Sequence, residues 1–104
     1  MANLGKMMKQ LQQVQNKVMR MQEEIAEREI EATSGGGAVR VVASGAKKLL
    51  SVSIAPEAID PDDPEMLEDL IVAAVNEVMD RVDAVTAEEM KKVTGGMELP
   101  PGLL

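Results

Sequence analysis

Residues 4–25 read LGKMMKQLQQVQNKVMRMQEEI, and seven of their apolar residues recur at alternating gaps of three and four. The seven positions, which we call the apolar seam, are Leu4, Met7, Leu11, Val14, Val18, Met21 and Ile25. A helix that carries such a heptad pattern buries its seam against another helix. The stretch therefore predicts a long amphipathic helix near the start of the chain, with its seam in a helix–helix contact.

The same helix is predicted to have a positively charged face. Its basic residues, which we call the basic stripe, are Lys6, Lys9, Lys17 and Arg20, and no acidic residue precedes Glu23. At about 100° per residue these four lie within about 80° of one another and about 130° from the apolar seam. Two interpretations remain open: a surface that contacts phosphates, or the ordinary solvated face of an amphipathic helix.

The composition limits what the chain can be. Its 104 residues make a single domain, and they include no Phe, Tyr or Trp, so that the core is built from Val, Ile, Leu, Ala and Met. A small core of this kind favours an oligomer, because contact between subunits supplies additional burial. No apolar run approaches the length of a membrane span, which predicts a soluble, cytoplasmic protein with no membrane partner.

Catalysis and cofactor binding are not expected. The chain has no Cys and no His, which removes thiol chemistry and the usual ligands of zinc, copper and haem. The carboxylates of residues 57–69 match no calcium loop, and residues 35–37 link two predicted strands and precede no helix, unlike a nucleotide-binding loop. We therefore predict no catalytic residues, no metal, no cofactor, no small-molecule substrate and no enzymatic activity.

Charge is distributed unevenly along the chain. The net charge is −7, yet residues 1–22 carry +4, whereas residues 57–90 carry −11. Such segregation allows binding to a polyanion through one local face while the remaining surface repels it. A second basic group, Arg40, Lys47 and Lys48, falls on a predicted strand and turn, where such residues commonly guard a sheet edge against aggregation.

The order of the elements is predicted from the periodicity. Residues 1–28 form the first helix with Asn3 as its cap, and residues 29–55 alternate with period two in three short strands joined by Gly-bearing turns, an antiparallel meander. Residues 64–93 form a second long helix, and residues 94–104 an extended tail. The fold class is α+β, with the sheet between two long helices.

Two features of the second helix are left open by the sequence. Its start is capped either by Asp62 paired with Glu65, or by Asp63 with Pro64 in the first helical position. A second capping pattern at Thr86 indicates a possible break or kink.

Several stretches resemble one family. The chain is similar to the YbaB/EbfC family of bacterial nucleoid-associated proteins in Met21–Glu24, in the Gly-rich turn followed by a Val-rich strand and Ser44–Ala46, in Glu65–Leu70 and in the tail Gly96–Gly102. The resemblance covers nearly the whole length. It implies a tweezer-like homodimer with a shared sheet and projecting helices. It also implies binding to duplex DNA with little sequence preference, and a role at the nucleoid in its organisation or in gene regulation.

The assignment of DNA contacts to the basic stripe is our own inference from charge, since the family has no sharp DNA-contact motif to transfer. Without aromatic rings for base stacking and without a helix-turn-helix or zinc module, contacts to the DNA backbone are expected to dominate. The alternative function is a protein–protein interaction module that uses the heptad helix and the Pro-Pro tail, with weak or no DNA binding.

Overall fold

The computed structural model describes residues 3–95, which form two long helices and one sheet. The elements are α1 (Leu4–Ala26), β1 (Glu29–Ser34), β2 (Val39–Ser44), β3 (Leu49–Ile54) and α2 (Pro64–Thr94). The predicted fold class is confirmed: α+β, with a long helix, a three-stranded antiparallel sheet and a second long helix in chain order. Of the predicted tail, residues 96–104 lie outside the described residues.

The sheet is a meander in the order β1-β2-β3, with both pairs antiparallel. Its first turn is Gly35–Gly37, where all three glycines have positive φ (60°, 68° and 96°), a conformation that side chains with a Cβ disfavour. A register shift opposite Val42 and Ala43 adds one residue to β3 near its start. These turns are short enough to keep the three strands adjacent in space.

The core lies between α2 and the first two strands. Its fully buried members are Ala32, Val39, Val41, Ala43, Ala74, Val78 and Val82. The three from α2 are spaced by four residues and so share one face of the helix. Because these side chains are small, helix and sheet pack closely, and β3 at the far edge receives little cover from α2.

The structure of α2 shows which residue caps the helix and whether it breaks at Thr86. Asp63 is the N-cap: its side chain accepts a hydrogen bond from the backbone N–H of Met66 at 3.2 Å, and Pro64 occupies the first turn. Of the possible break or kink at Thr86, the break does not occur, because α2 continues as one helix to Thr94. The Thr86 hydroxyl donates to the Val82 carbonyl one turn earlier, which removes it from any capping role.

Among residues 3–95, helix α1 contacts the other elements through its C-terminal half. Met21 and Ile25 of the apolar seam are buried, whereas Leu4, Met7 and Leu11 are exposed, so the predicted burial of the seam holds for only part of its length. Asn3 occupies the N-cap position of α1 as predicted, but its backbone is helical and its side chain makes no capping hydrogen bond.

One glycine fixes the junction of α1 with the sheet. A Cβ on Gly45 would lie 1.9 Å from the carbonyl oxygen of Ile25, and the Gly45 N–H donates to the Arg28 carbonyl at 3.1 Å. The end of α1 therefore rests directly on the β2–β3 turn. The first half of α1 extends outward from this point, and the molecule measures 73 × 23 × 16 Å.

Candidate nucleic-acid interface

The basic stripe lies on the exposed surface of α1. Lys6 and Lys9 are on the outer half of the helix, whereas Lys17 and Arg20 lie closer to its contact with α2. All four side chains are exposed, and among residues 3–95 none of them has a carboxylate within ion-pair distance. The helix period thus places four uncompensated positive charges along one side of α1.

Most of the other cations in the described part of the chain form ion pairs with carboxylates. Arg40 Nη2 donates to Glu31 at 2.9 Å, and Lys47 Nζ lies 2.7 Å from a carboxylate oxygen of Asp83. The others in ion pairs are Arg28 with Glu89, Arg81 with Glu77, and Lys92 with Glu89. The interpretation of Arg40 and Lys47 as surface residues of the sheet is consistent with these ion pairs, which leave them less available to an external anion.

The inner half of the stripe joins the end of α2. Lys17 and Arg20 line a shallow cleft of about 260 Å³ between the two helices, whose other lining residues are Met21, Glu24, Glu89, Lys92 and Val93. Lys92 was not predicted as part of the site. It lies far from the stripe in sequence, and only the antiparallel packing of α1 on α2 brings it there.

Glu89 is one of the two acidic residues that line this cleft, together with Glu24. It accepts hydrogen bonds from Lys92 at 3.1 Å and from Arg28 at 3.4 Å, and these contacts, with Lys92 the stronger, lower the pKa of its carboxyl group. The negative charge of Glu89 is thus paired with Lys92 and Arg28, and Glu89 forms no ion pair with Lys17 or Arg20.

The described residues offer no sign of other chemistry. Between Asn3 and Gly95 no three metal-ligating side chains converge. Within the same range neither α1 nor α2 has an uninterrupted apolar segment of the length that a bilayer crossing requires.

Comparison with known proteins gives one consistent result. The model of the YbaB/EbfC DNA-binding family matches residues 1–97. A nucleoid-associated protein of Pelotomaculum thermopropionicum is 48% identical over 98 residues, which covers 94% of this chain and 93% of the relative. One from Moorella thermoacetica is 50% identical, with 96% of each chain covered.

A solved structure shares the fold. The crystal structure of the uncharacterized protein HP0035 from Helicobacter pylori superimposes with a TM-score of 0.75, covering 88% of this chain and 97% of that one. At 18% identity it supports the architecture alone.

The family match spans more than nine-tenths of the chain, and the relatives are about half identical over nearly their full length. The predicted resemblance is thereby confirmed, as is the prediction that the chain is not an enzyme, since the family is one of DNA-binding proteins. The chain belongs to the YbaB/EbfC DNA-binding family.

Proposed function

We propose that this protein binds the backbone of duplex DNA through Lys6, Lys9, Lys17 and Arg20, with little sequence preference. The observation that supports the proposal is the difference in ion pairing between the basic stripe and the other cations. The four cations of the basic stripe have no carboxylate partner among residues 3–95. Five of the seven other cations there have one, and Lys48 and Lys91 do not. An anion that approaches α1 meets uncompensated charge.

The dimensions of the stripe suit a phosphate backbone. From Lys6 to Arg20 the helix rises about 21 Å. One strand of duplex DNA presents about six phosphates over that length. Three of the four cations are lysines, which contact phosphates as flexible point charges, and only Arg20 has the planar guanidinium that suits bidentate recognition. These features support positioning contacts without direct recognition of sequence.

The acidic character of α2 supports an orientation for the complex. Carboxylates cluster at its start, where Asp63 caps the helix and Glu65 lies in the first turn. This end is far from the α1–α2 cleft along the length of α2. Repulsion between it and phosphates would hold DNA toward α1.

We also propose that the protein is a homodimer in which β3 of one copy lies against β3 of another, giving a shared sheet with two projecting α1 helices. Register places Val52 opposite Val41 and Ile54 opposite Val39, so β3 continues the apolar face of the core. Val41 is 0% exposed but Val52 is 44% exposed, because α2 covers β1 and β2 and stops short of β3.

The edge of β3 adds a second reason for pairing. Leu49 and Leu50 on this strand are also about half exposed, and an edge strand with exposed apolar side chains and unpaired backbone groups is a template for another strand. A second copy would cover both features in a symmetric contact.

Sedimentation equilibrium tests the dimer with two matched variants. Val52→Asp puts a charge on the core-side face of β3, whereas Ser53→Asp puts the same charge on the opposite face of that strand. We expect a dimer for the wild type and for Ser53→Asp, and a monomer for Val52→Asp. A monomeric wild type at tens of micromolar, or a dimeric Val52→Asp, would contradict this arrangement.

DNA binding is tested by fluorescence anisotropy with labelled duplexes. The Lys6→Gln/Lys9→Gln variant is compared with Lys47→Gln/Lys48→Gln, which removes the same charge from the sheet turn. We expect the first to lose at least about tenfold in affinity and the second to change little, since long-range charge is screened beyond about 10 Å at 0.1 M salt. Similar affinities for AT-rich and GC-rich duplexes are also expected. Equal losses for the two variants would refute the site.

In the cell, we propose that the protein is located at the nucleoid in the cytoplasm and contributes to nucleoid organisation or gene regulation. Its relatives from Pelotomaculum and Moorella are named nucleoid-associated proteins, which supports this location. Binding of duplex DNA through the backbone requires no cofactor and no small-molecule substrate.

A further inference from the structure

The apolar seam of α1 loses its cover progressively toward the helix N-terminus. Ile25 and Met21 are 3% and 5% exposed, whereas Leu11, Met7 and Leu4 are 44%, 57% and 66% exposed. The covered part adjoins α2: Met21 lines a cleft with Val93, and Ile25 lines a cavity with Thr86. The uncovered part is a row of large apolar side chains spaced by three and four residues, which is the pattern of a helix that has a partner.

The position at which α2 ends explains where the cover stops. The two helices run antiparallel: Ala26 and Thr86 line one cavity near the sheet, and Lys17 and Val93 line the next cleft outward. Helix α2 ends at Thr94, one residue beyond Val93. Gly95 therefore leaves the helix beside the middle of α1, where the exposed part of the seam begins.

We propose that residues 96–104 of the same chain lie along the outer half of α1 and cover its apolar seam. These nine residues lie outside the described residues, and they start from Gly95 at the inner end of the uncovered surface. From Val14 to Leu4 the helix is about 15 Å long. Nine residues in an extended conformation reach up to about 30 Å, so the segment is long enough to pass all the exposed seam positions.

The composition of the segment fits the surface. Its large apolar residues are Met97, Leu99, Leu103 and Leu104, and Pro100 and Pro101 favour an extended chain over a helix. Glu98 is its single charged residue and would lie against a helix whose first 22 residues carry +4. A second copy of α1 on the same seam would offer no such opposite charge, since residues 1–22 contain no acidic residue.

Cover of this kind would also keep the outer helix folded. The part of α1 beyond the contact with α2 is about a dozen residues long, and an isolated helix of that length is marginal in water. Lys6 and Lys9 lie on this part. The proposed contact is therefore a means of ordering two residues of the basic stripe, although it does not depend on DNA binding and is tested without DNA.

Engineered disulfides provide the test, because the natural chain has no cysteine. One full-length variant carries Leu11→Cys with Leu99→Cys. Its matched control carries Gln13→Cys with Leu99→Cys, which moves the first cysteine to the opposite side of α1 at nearly the same height. Rates of intramolecular disulfide formation in a mild glutathione buffer are compared over a tenfold range of protein concentration.

The proposal predicts an intramolecular disulfide that forms at a rate independent of protein concentration. The bond should form at least about tenfold faster for the Leu11 pair than for the Gln13 pair, because burial of even one leucine favours the docked state by that factor or more. Equal rates for the two pairs would overturn it. Preferential formation of covalent dimers would also overturn it and would show that a second copy occupies the seam.

Amide hydrogen exchange on full-length chains gives an independent readout. The double substitution Leu99→Asp/Leu103→Asp is expected to speed exchange at residues 7–14 by at least about tenfold and to leave residues 74–82 of the core unchanged. Unchanged exchange at residues 7–14 would contradict the proposal, because the segment would then contribute nothing to the order of that part of α1.

Discussion

The substitution Gly45→Ala tests the junction from which α1 projects. The new Cβ would lie 1.9 Å from the Ile25 carbonyl oxygen, whereas close C···O contacts in proteins are about 3.3 Å or longer. The end of α1 and the β2–β3 turn must therefore separate by about 1.4 Å. That movement strains the 3.1 Å hydrogen bond from Gly45 to Arg28 and loosens the burial of Ile25.

The expected cost follows from these contacts. Overpacking in a close contact costs about 1–3 kcal/mol and the weakened hydrogen bond about 1 kcal/mol, giving roughly 2–4 kcal/mol in all. For a chain of this size each kcal/mol lowers Tm by about 4–8 °C, so a loss of at least about 10 °C is expected. Thermal unfolding followed by circular dichroism at a fixed protein concentration measures it.

The control is the same substitution in the outer part of α1. A Cβ on Gly5 has no neighbour within 4 Å, and alanine favours helix over glycine, so Gly5→Ala should leave Tm unchanged or raise it slightly. A Tm for Gly45→Ala within about 2 °C of the wild type would contradict this expectation. It would mean that the contact between the end of α1 and the β2–β3 turn contributes little to stability.

Two further predictions concern side-chain contacts on the surface. Asp63→Ala removes the cap of α2 and should destabilise the fold by about 1 kcal/mol in urea unfolding, whereas Asp62→Ala, next to it but not the cap, should cost less than about 0.5 kcal/mol. The hydrogen bond from Arg40 lowers the pKa of Glu31, so the stability from this pair is present above about pH 4.5 and is lost as the pH falls through the lower folded-state pKa. Glu31→Gln should therefore reduce the loss of stability below that pH, while Glu57→Gln should not; identical acid profiles for the two variants would contradict the assignment.

The sequence predicted the elements well because their signals are local. The alternation of apolar residues in the strands and their four-residue spacing on α2 both follow from burial of one face, and the structure buries Val41 and Val78 accordingly. Capping was less predictable. Asn3 has the right chemistry for a cap, but its backbone is already helical, and Thr86 bonds back to Val82 within a continuous helix.

The contacts between distant residues were not predictable from local patterns. Gly45 was expected in a turn, and only the packed fold shows that a helix end touches it. Lys47 pairs with Asp83, and Lys92 lies beside Lys17, because α1, α2 and the sheet meet in a particular way. The extent of burial along the apolar seam depends in the same way on where α2 ends. The basic stripe itself was predictable, since four cations at helical spacing share a face regardless of what packs behind them.

The salt dependence of duplex binding shows whether the basic stripe contacts DNA phosphates. If all eight stripe cations of a dimer neutralise phosphates, log affinity falls against log salt concentration with a slope near about −7. The Lys6→Gln/Lys9→Gln variant removes four of them and should reduce the magnitude of the slope by about 3.6, whereas Lys47→Gln/Lys48→Gln should leave it unchanged. An unchanged slope for the first variant, or an equal reduction for both, would show that the basic stripe does not contact the DNA phosphates.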